Sequence, residues 1–148
     1  MGKKVVFASD HAAVELKNEL RDYVKSMGYE VVDLGPEDNK VSTSYATQGH
    51  KLADYVKHND VEFGVGMCGT GLGISYALNR HSGIRAARVT SVEDSRLAKL
   101  HNNANVIVFS GRYTPVSEAK AMLNEYIKTE FEGGRHESRI EQIEEFEE

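Results

Sequence analysis

Five short apolar runs, separated by segments of helical period, constrain this chain more than any other feature. The runs are Val5-Val6-Phe7-Ala8, Val31-Val32-Asp33-Leu34, Val61 to Cys68, Ile84 to Val89 and Val106 to Phe109. Each has the length of a strand, and near-continuous apolar strands belong in sheets that are covered on both faces. Between the first two runs, Ala13, Leu16, Leu20, Tyr23, Val24 and Met27 recur close to a 3.6-residue spacing, and Gly28 follows as a C-terminal stop. That pattern predicts a crossover helix. Similar patterns occupy Tyr45 to His58, Ser91 to Leu100 and Val116 to Phe131, with Pro115 near the first turn of the last. The rhythm predicts an α/β fold, with about five parallel strands lying between layers of helices.

A chain of 148 residues with two prolines, no repeat and no linker reads as a single domain over 1–148. No stretch approaches the roughly 18 consecutive apolar residues of a membrane span, and the N-terminus lacks a signal pattern. The expectation is a soluble, cytoplasmic protein with no membrane partner. A net charge of −5 leaves no basic surface for non-specific nucleic-acid binding. Glu141, Glu144, Glu145, Glu147 and Glu148 crowd the tail and read as a solvated helix end or frayed terminus. The single cysteine, Cys68, permits neither an internal disulfide nor a cysteine-based metal cluster.

Sheets of this type bind ligands beyond the carboxyl ends of their strands. The polar residues there are Ser9-Asp10-His11, Cys68-Gly69-Thr70-Gly71-Leu72-Gly73 and Ser110-Gly111-Arg112. The glycine segment leads into a helix expected to begin near Ile74, so its amides form an anion cradle, and three glycines in five residues exceed what a tight turn requires. It is no dinucleotide fingerprint, whose third glycine would replace Ile74, and no nucleotide P-loop, which needs Gly-Lys-Ser or Gly-Lys-Thr. Cys68 beside a helix N-terminus is either an activated thiol or a small buried hydrophobe, and position alone leaves both open. Asp10 is a site carboxylate or a helix cap. His101-Asn102-Asn103 ends the fourth helix, where a cation complements the dipole and an asparagine takes a left-handed cap. Arg135 and Arg139 are four apart, on one helical face; they suit a phosphate dianion or pair with Glu141 and Glu144. His50, His58 and His81 read as surface residues. No histidine pair has metal-ligand spacing with carboxylate support, so no metal site is expected.

Taken in order, Ser9-Asp10-His11-Ala12, Cys68 to Gly73, Gly83-Ile84-Arg85-Ala86-Ala87, His101 to Val106 and Glu132-Gly133-Gly134-Arg135-His136 resemble the ribose-5-phosphate isomerase B and galactose-6-phosphate isomerase family. The resemblance runs from about Lys3 to Ile143. It implies a Rossmann-like three-layer αβα sandwich with a five-stranded parallel sheet, an aldose–ketose isomerase acting on a phosphorylated sugar, and no metal or organic cofactor. It also implies a homodimer or dimer of dimers with the active site shared between two subunits, the C-terminal helix (about 135–148) packing at their interface. Carried over by position, Cys68 is the base that moves a proton between carbons one and two through a cis-enediolate, with Thr70 polarising it. Gly69, Gly71 and Gly73 present amides to the enediolate, a type of contact worth about 3 to 4 kcal/mol per donor. Asp10 and His101 open the furanose ring, Asn102 holds the reacting oxygens, and His11, Arg112, Arg135 and Arg139 clamp the phosphate.

Ribose 5-phosphate, of the pentose phosphate pathway, is the first expected substrate. The alternatives are a hexose 6-phosphate of allose or galactose type, and a non-catalytic sugar-phosphate binding subunit, against which Cys68 argues. One stretch departs from the pattern. Many relatives carry Asp-Tyr-Pro ahead of the second helix, where this chain has Val41-Ser42-Thr43. Retention of Cys68, His101 and Arg135 together favours the self-sufficient ribose enzyme.

Overall fold

All five apolar runs become strands of one parallel sheet. The computed structural model describes residues 3–146, so Glu147 and Glu148 of the acidic tail lie outside the described residues. The strands are β1 (Lys4–Ser9), β2 (Glu30–Asp33), β3 (Phe63–Cys68), β4 (Ala86–Arg88) and β5 (Val106–Ser110), and the helices are α1 (Val14–Ser26), α2 (Tyr45–His58), α3 (Leu72–Asn79), α4 (Val92–Leu100), α5 (Val116–Lys128) and α6 (Arg135–Glu144). The sheet order is β2-β1-β3-β5-β4, with every pairing parallel. None of the described helices is long and apolar enough to cross a membrane.

Local chemistry sets the helix ends. Ser44 Oγ accepts from the Ala46 and Thr47 amides to start α2, and Ser91 Oγ accepts from Asp94 N at 3.0 Å to start α4. Gly28, with φ of +99°, ends α1, and Asn103, with φ of +46°, takes the left-handed turn after α4. Several boundaries differ from expectation, the start of β3 at Phe63 rather than Val61 among them. α3 starts at Leu72 rather than near Ile74, β4 shrinks to three residues, and α5 stops at Lys128 although the apolar period continues to Phe131. The cause of the last is Thr129, which is extended and folds its hydroxyl back onto the Glu125 carbonyl at 2.6 Å.

Alternation along the central strands sorts the core into two layers. Phe63, Val65 and Met67 of β3 face Leu20, Val24, Met122 and Leu123 of α1 and α5. Gly64, Gly66 and Cys68 point the other way, toward α2 and α3. An added Cβ on Gly64 or Gly66 would come within 3.3 and 3.1 Å of the Leu52 side chain, so these glycines are hollows into which Leu52 packs. Because the period is two, Cys68 shares their face and stands at its upper edge, beside the starts of α2 and α3.

A charged cluster braces the β2 edge. Lys17 Nζ is wholly enclosed and donates to Asp33 Oδ2 at 2.7 Å and Asn18 Oδ1 at 2.9 Å; Arg21 Nη1 reaches the same Asp33 oxygen at 2.8 Å. The Gly35 amide donates to Asp33 Oδ1 at 2.8 Å, and the Gly35 carbonyl receives Ser9 N and the Gln48 side chain. The end of β1 is thereby held from the β2 side.

Candidate active site

From β1 the chain moves to β2 on one side, whereas β3 and the strands that follow lie on the other, so the loops after β1 and β3 diverge. A parallel sheet opens its ligand crevice at such a point. Here the crevice measures about 430 Å³ and is lined by Asp10, His11, Ala12, Tyr45, Cys68, Gly69, Thr70, Gly73, Tyr76 and Arg112. That volume lies in the ordinary range for small-ligand sites. Cys68 is only 3% exposed and belongs to the core cluster on the α2–α3 face, yet it forms part of this wall. The cysteine packs as a small hydrophobe below and meets the crevice above.

The glycines of the loop do different things. Gly71, with φ of +80°, supplies a left-handed residue at the N-terminus of α3, and a side chain there would press on the Phe109 carbonyl at 3.1 Å. Gly69 makes room for Arg112, whose Nε and Cζ would lie 3.2 Å from an added Cβ. Gly73 lies against the Tyr45 ring, which a Cβ would strike at 2.5 Å. One glycine is thus required by its dihedral and two by close approach. Thr70 Oγ1 accepts the Leu72 amide at 3.2 Å, leaving its own hydrogen free to donate, and its carbonyl is held by Arg88 Nε at 2.9 Å. The β5 loop is laced to this turn: Gly111 N donates to Cys68 O at 2.8 Å, Arg112 N to Gly69 O at 3.0 Å and Ser110 Oγ to Gly69 O at 2.7 Å. These bonds fix the base of Arg112 beside the loop.

Asp10 is nearly buried and caps the 3-10 turn His11–Ala13, its Oδ1 accepting the Ala12 amide at 2.9 Å. The capping reading is therefore realised, and the carboxylate lines the crevice as well. His11 stands beside it with Nδ1 against the main chain of Thr43.

The remaining site candidates gather elsewhere. His101 closes α4, Asn102 borders an apolar groove of about 350 Å³ together with Ile84, Ala86, Ala98 and Ile143, and Arg135 and Arg139 lie exposed on α6. Arg135 Nη1 reaches Glu132 Oε1 at 3.8 Å, not the tail glutamates Glu141 and Glu144, and Glu144 instead accepts the Gly83 amide at 2.7 Å. Around His101 the sequence expectation needs correction, because histidines do meet a carboxylate. Glu132 Oε2 lies 3.8 Å from His101 Nε2 and 3.9 Å from His136 Nε2, all within 4.8 Å of one another. The two rings stack with centroids 4.4 Å apart and planes 17° off parallel. Nearly parallel rings aim their in-plane lone pairs side by side, not at one point about 2 Å from each, so the group is poorly shaped for a cation. It is better suited to steering one imidazole. Burial, with the charges of Arg135 and His101, holds the His136 imidazole below the usual histidine range. The residues that spacing did not reveal are Tyr45 and Tyr76 on the crevice wall and the Glu132–His136 pair beside His101. Glu132 and His136 were visible beforehand only as the ends of the motif Glu132-Gly133-Gly134-Arg135-His136, in i,i+4 placement, with no sign that they meet His101.

The model of the ribose/galactose isomerase family matches residues 5–143. The chain belongs to that family. It is accordingly an enzyme, a sugar-phosphate isomerase of α/β fold. Among curated relatives, the ribose-5-phosphate isomerase B of Escherichia coli K12 is 35% identical over 141 residues, covering 95% of this chain and 94% of that one. A probable ribose-5-phosphate isomerase B of Mycoplasma genitalium is 38% identical over 144 residues, covering 97% and 95%. The solved ribose 5-phosphate isomerase of Thermotoga maritima superposes with a TM-score of 0.95 at 41% identity, over 99% of this chain and all of the other. The Mycoplasma genitalium enzyme, solved with bound ribulose-5-phosphate, superposes with a TM-score of 0.91 at 37% identity, over 97% and 95%. In this isomerase the crevice at the β1–β3 divide is the candidate centre, and the His101 group is a second cluster displaced from it.

Proposed function

We propose that this isomerase interconverts ribose 5-phosphate and ribulose 5-phosphate through a cis-enediolate, with Cys68 as the base. The supporting observation is the placement of the one thiol in the crevice wall between Gly69, Thr70 and Arg112, at the divide of the sheet. In the open-chain aldose, Cys68 thiolate takes the proton from carbon two, the electron pair forms the carbon–carbon double bond, and the aldehyde oxygen takes the charge. The Thr70 hydroxyl and the loop amides at the N-terminus of α3 stabilise that oxygen. The thiol then returns the proton to carbon one while the hydroxyl proton of carbon two passes to the first oxygen, leaving the ketose. Phosphate held by His11 and Arg112 keeps both carbons within reach of one sulfur.

Ring opening is assigned to Asp10 acting with a His101, the rest of the phosphate clamp to Arg135 and Arg139, and contact with the reacting oxygens to Asn102. In one chain His101, Asn102, Arg135 and Arg139 lie away from the crevice that Asp10 and Cys68 line. A homodimer that presents the α4–α6 side of one subunit to the crevice of its partner unites them. The stripe of Ile140, Ile143 and Phe146 on and after α6, with Ile143 52% and Phe146 69% exposed, supplies apolar surface for such an interface.

Incubation with ribose 5-phosphate in heavy water tests the chemistry. Ketose formation and carbon-bound deuterium should both fall by about 10² to 10⁴ in Cys68→Ala and be untouched by a chelator in the wild type. Ketose formation at the wild-type rate in Cys68→Ala removes that residue from its role. A panel of pentose and hexose phosphates ranks the substrates.

A further inference from the structure

His11 Nδ1 touches both main-chain polar groups of Thr43: the Thr43 amide at 3.1 Å and the Thr43 carbonyl oxygen at 3.2 Å. One nitrogen cannot serve both at once. With the ring neutral and its hydrogen on Nε2, Nδ1 accepts the Thr43 N–H. With the ring charged, Nδ1–H donates to the Thr43 carbonyl and Nε2 still carries a hydrogen. The one form that turns a bare Nε2 lone pair outward is the neutral Nδ1–H tautomer, and it leaves the Thr43 amide without an acceptor, a costlier and rarer state than the unpaired carbonyl that the Nε2–H tautomer leaves. Nε2 has no hydrogen-bond partner among the described residues.

We propose that Thr43 is a positioning residue whose amide and carbonyl clasp His11 Nδ1, so that Nε2 offers a hydrogen to a phosphate oxygen in both charge states of the ring. This rests on the assignment of His11 to the substrate phosphate. The ionisable groups around the imidazole are Asp10, Cys68, Tyr45, Tyr76 and Arg112 in the crevice and Glu15, Glu37 and Asp38 in the adjoining recess that His11 also lines. None of them is bonded to Nδ1, which leaves the tautomer to the Thr43 main chain.

The direct test is ¹⁵N NMR of the histidine side chains of the intact wild-type enzyme at alkaline pH, with His11 identified from the spectrum of His11→Gln. A predominant Nε2–H tautomer for His11 is expected; a predominant Nδ1–H tautomer overturns the clasp without any variant needing to fold. Kinetics supply the second arm. Thr43→Pro removes the N–H and should raise KM for ribose 5-phosphate on the order of fivefold, the equivalent of one hydrogen bond, with kcat changed less than about twofold. Thr43→Ala keeps the main chain and should keep the wild-type tautomer. In a His11→Gln background, where a side-chain amide replaces Nε2–H and nothing occupies the place of Nδ1, Thr43→Pro should add no further change. If His11→Gln raises KM while Thr43→Pro does not, the clasp is wrong and the phosphate assignment stands. If His11→Gln leaves KM unaltered, the phosphate assignment itself falls, and the clasp with it.

Discussion

Asp33→Asn should destabilise the fold by about 3 kcal/mol near neutral pH, although Asp33 lies outside the crevice. The magnitude follows from Lys17, whose ammonium is fully enclosed and satisfied by Asp33 at 2.7 Å and Asn18 at 2.9 Å. Removing one partner of a buried ion pair typically costs about 3–5 kcal/mol, because the other charge stays desolvated. The lower end applies here, since asparagine keeps one acceptor oxygen and Arg21 is 29% exposed and can turn to water. Against a total stability of roughly 5–15 kcal/mol, that loss is a visible shift in a urea denaturation midpoint. The pH dependence has a definite sign. Burial alone would raise the Asp33 carboxyl, but hydrogen bonds from Lys17, the Gly35 amide and Arg21 outweigh it and hold the group below the usual carboxylate range. Stability from a depressed carboxyl is present above the unfolded value near ~3.9 and is lost as pH falls through the lower folded value. The gap between wild type and Asp33→Asn should therefore be flat from about pH 5 to 8 and close below about pH 4. A gap under ~1 kcal/mol at pH 7, or one that persists in acid, would refute the claim that the Lys17–Asp33 pair carries this energy.

Two further substitutions separate shape from stability in the glycine turn. Gly71→Ala forces a side chain into a left-handed backbone at φ of +80° beside the Phe109 carbonyl; thermal unfolding should fall by about 2–6 °C for ~1–2 kcal/mol of strain. Gly73→Ala should cost less than about 1 kcal/mol, because the half-exposed Tyr45 ring can swing away, yet it should raise KM as that ring leaves the crevice wall; in a Tyr45→Ala background, where the ring is already gone, Gly73→Ala should raise KM no further, measured by steady-state kinetics.

The sheet was legible because its signal is local. Five apolar runs and a 3.6-residue period need no partner to be recognised, and the bounds of α2, Tyr45 to His58, match the periodic segment residue for residue. The loops that form the crevice followed from a topological rule applied to strand ends. What spacing could not reveal depends on contacts made across long stretches of chain. Glu132 reaches His101 because its amide donates to the Leu100 carbonyl at 2.9 Å, which pins the segment after α5 against the end of α4. Nothing in the 31 residues between them announces that bond. In the same way, Gly73 is a glycine because Tyr45, at the start of a helix 28 positions earlier, lies on top of it. Thr43 gave no sign of its contact with His11, since the groups involved are main-chain atoms that every non-proline residue possesses.

The division of the site candidates into two clusters leads to a complementation experiment. Cys68, Asp10, His11 and Arg112 border one crevice, whereas His101, Asn102, Arg135 and Arg139 belong to the α4–α6 side. If each catalytic centre draws on both clusters from different subunits, Cys68→Ala and His101→Asn inactivate a homodimer by damaging opposite contributions to it. In a mixed dimer, one centre combines the intact Cys68 of one subunit with the intact His101 of the other, while the second centre carries both lesions. Equal amounts of the two inactive proteins, dissociated and reassociated at random, give mixed dimers in about half of all pairs, each with one working centre of two. Activity should therefore return to about a quarter of the value for wild-type protein taken through the same cycle. Were each chain to assemble its own complete centre, every subunit in the mixture would retain a lesion and no activity would reappear. Recovery near a quarter and recovery near zero are far apart, and the wild-type control accounts for losses on reassociation.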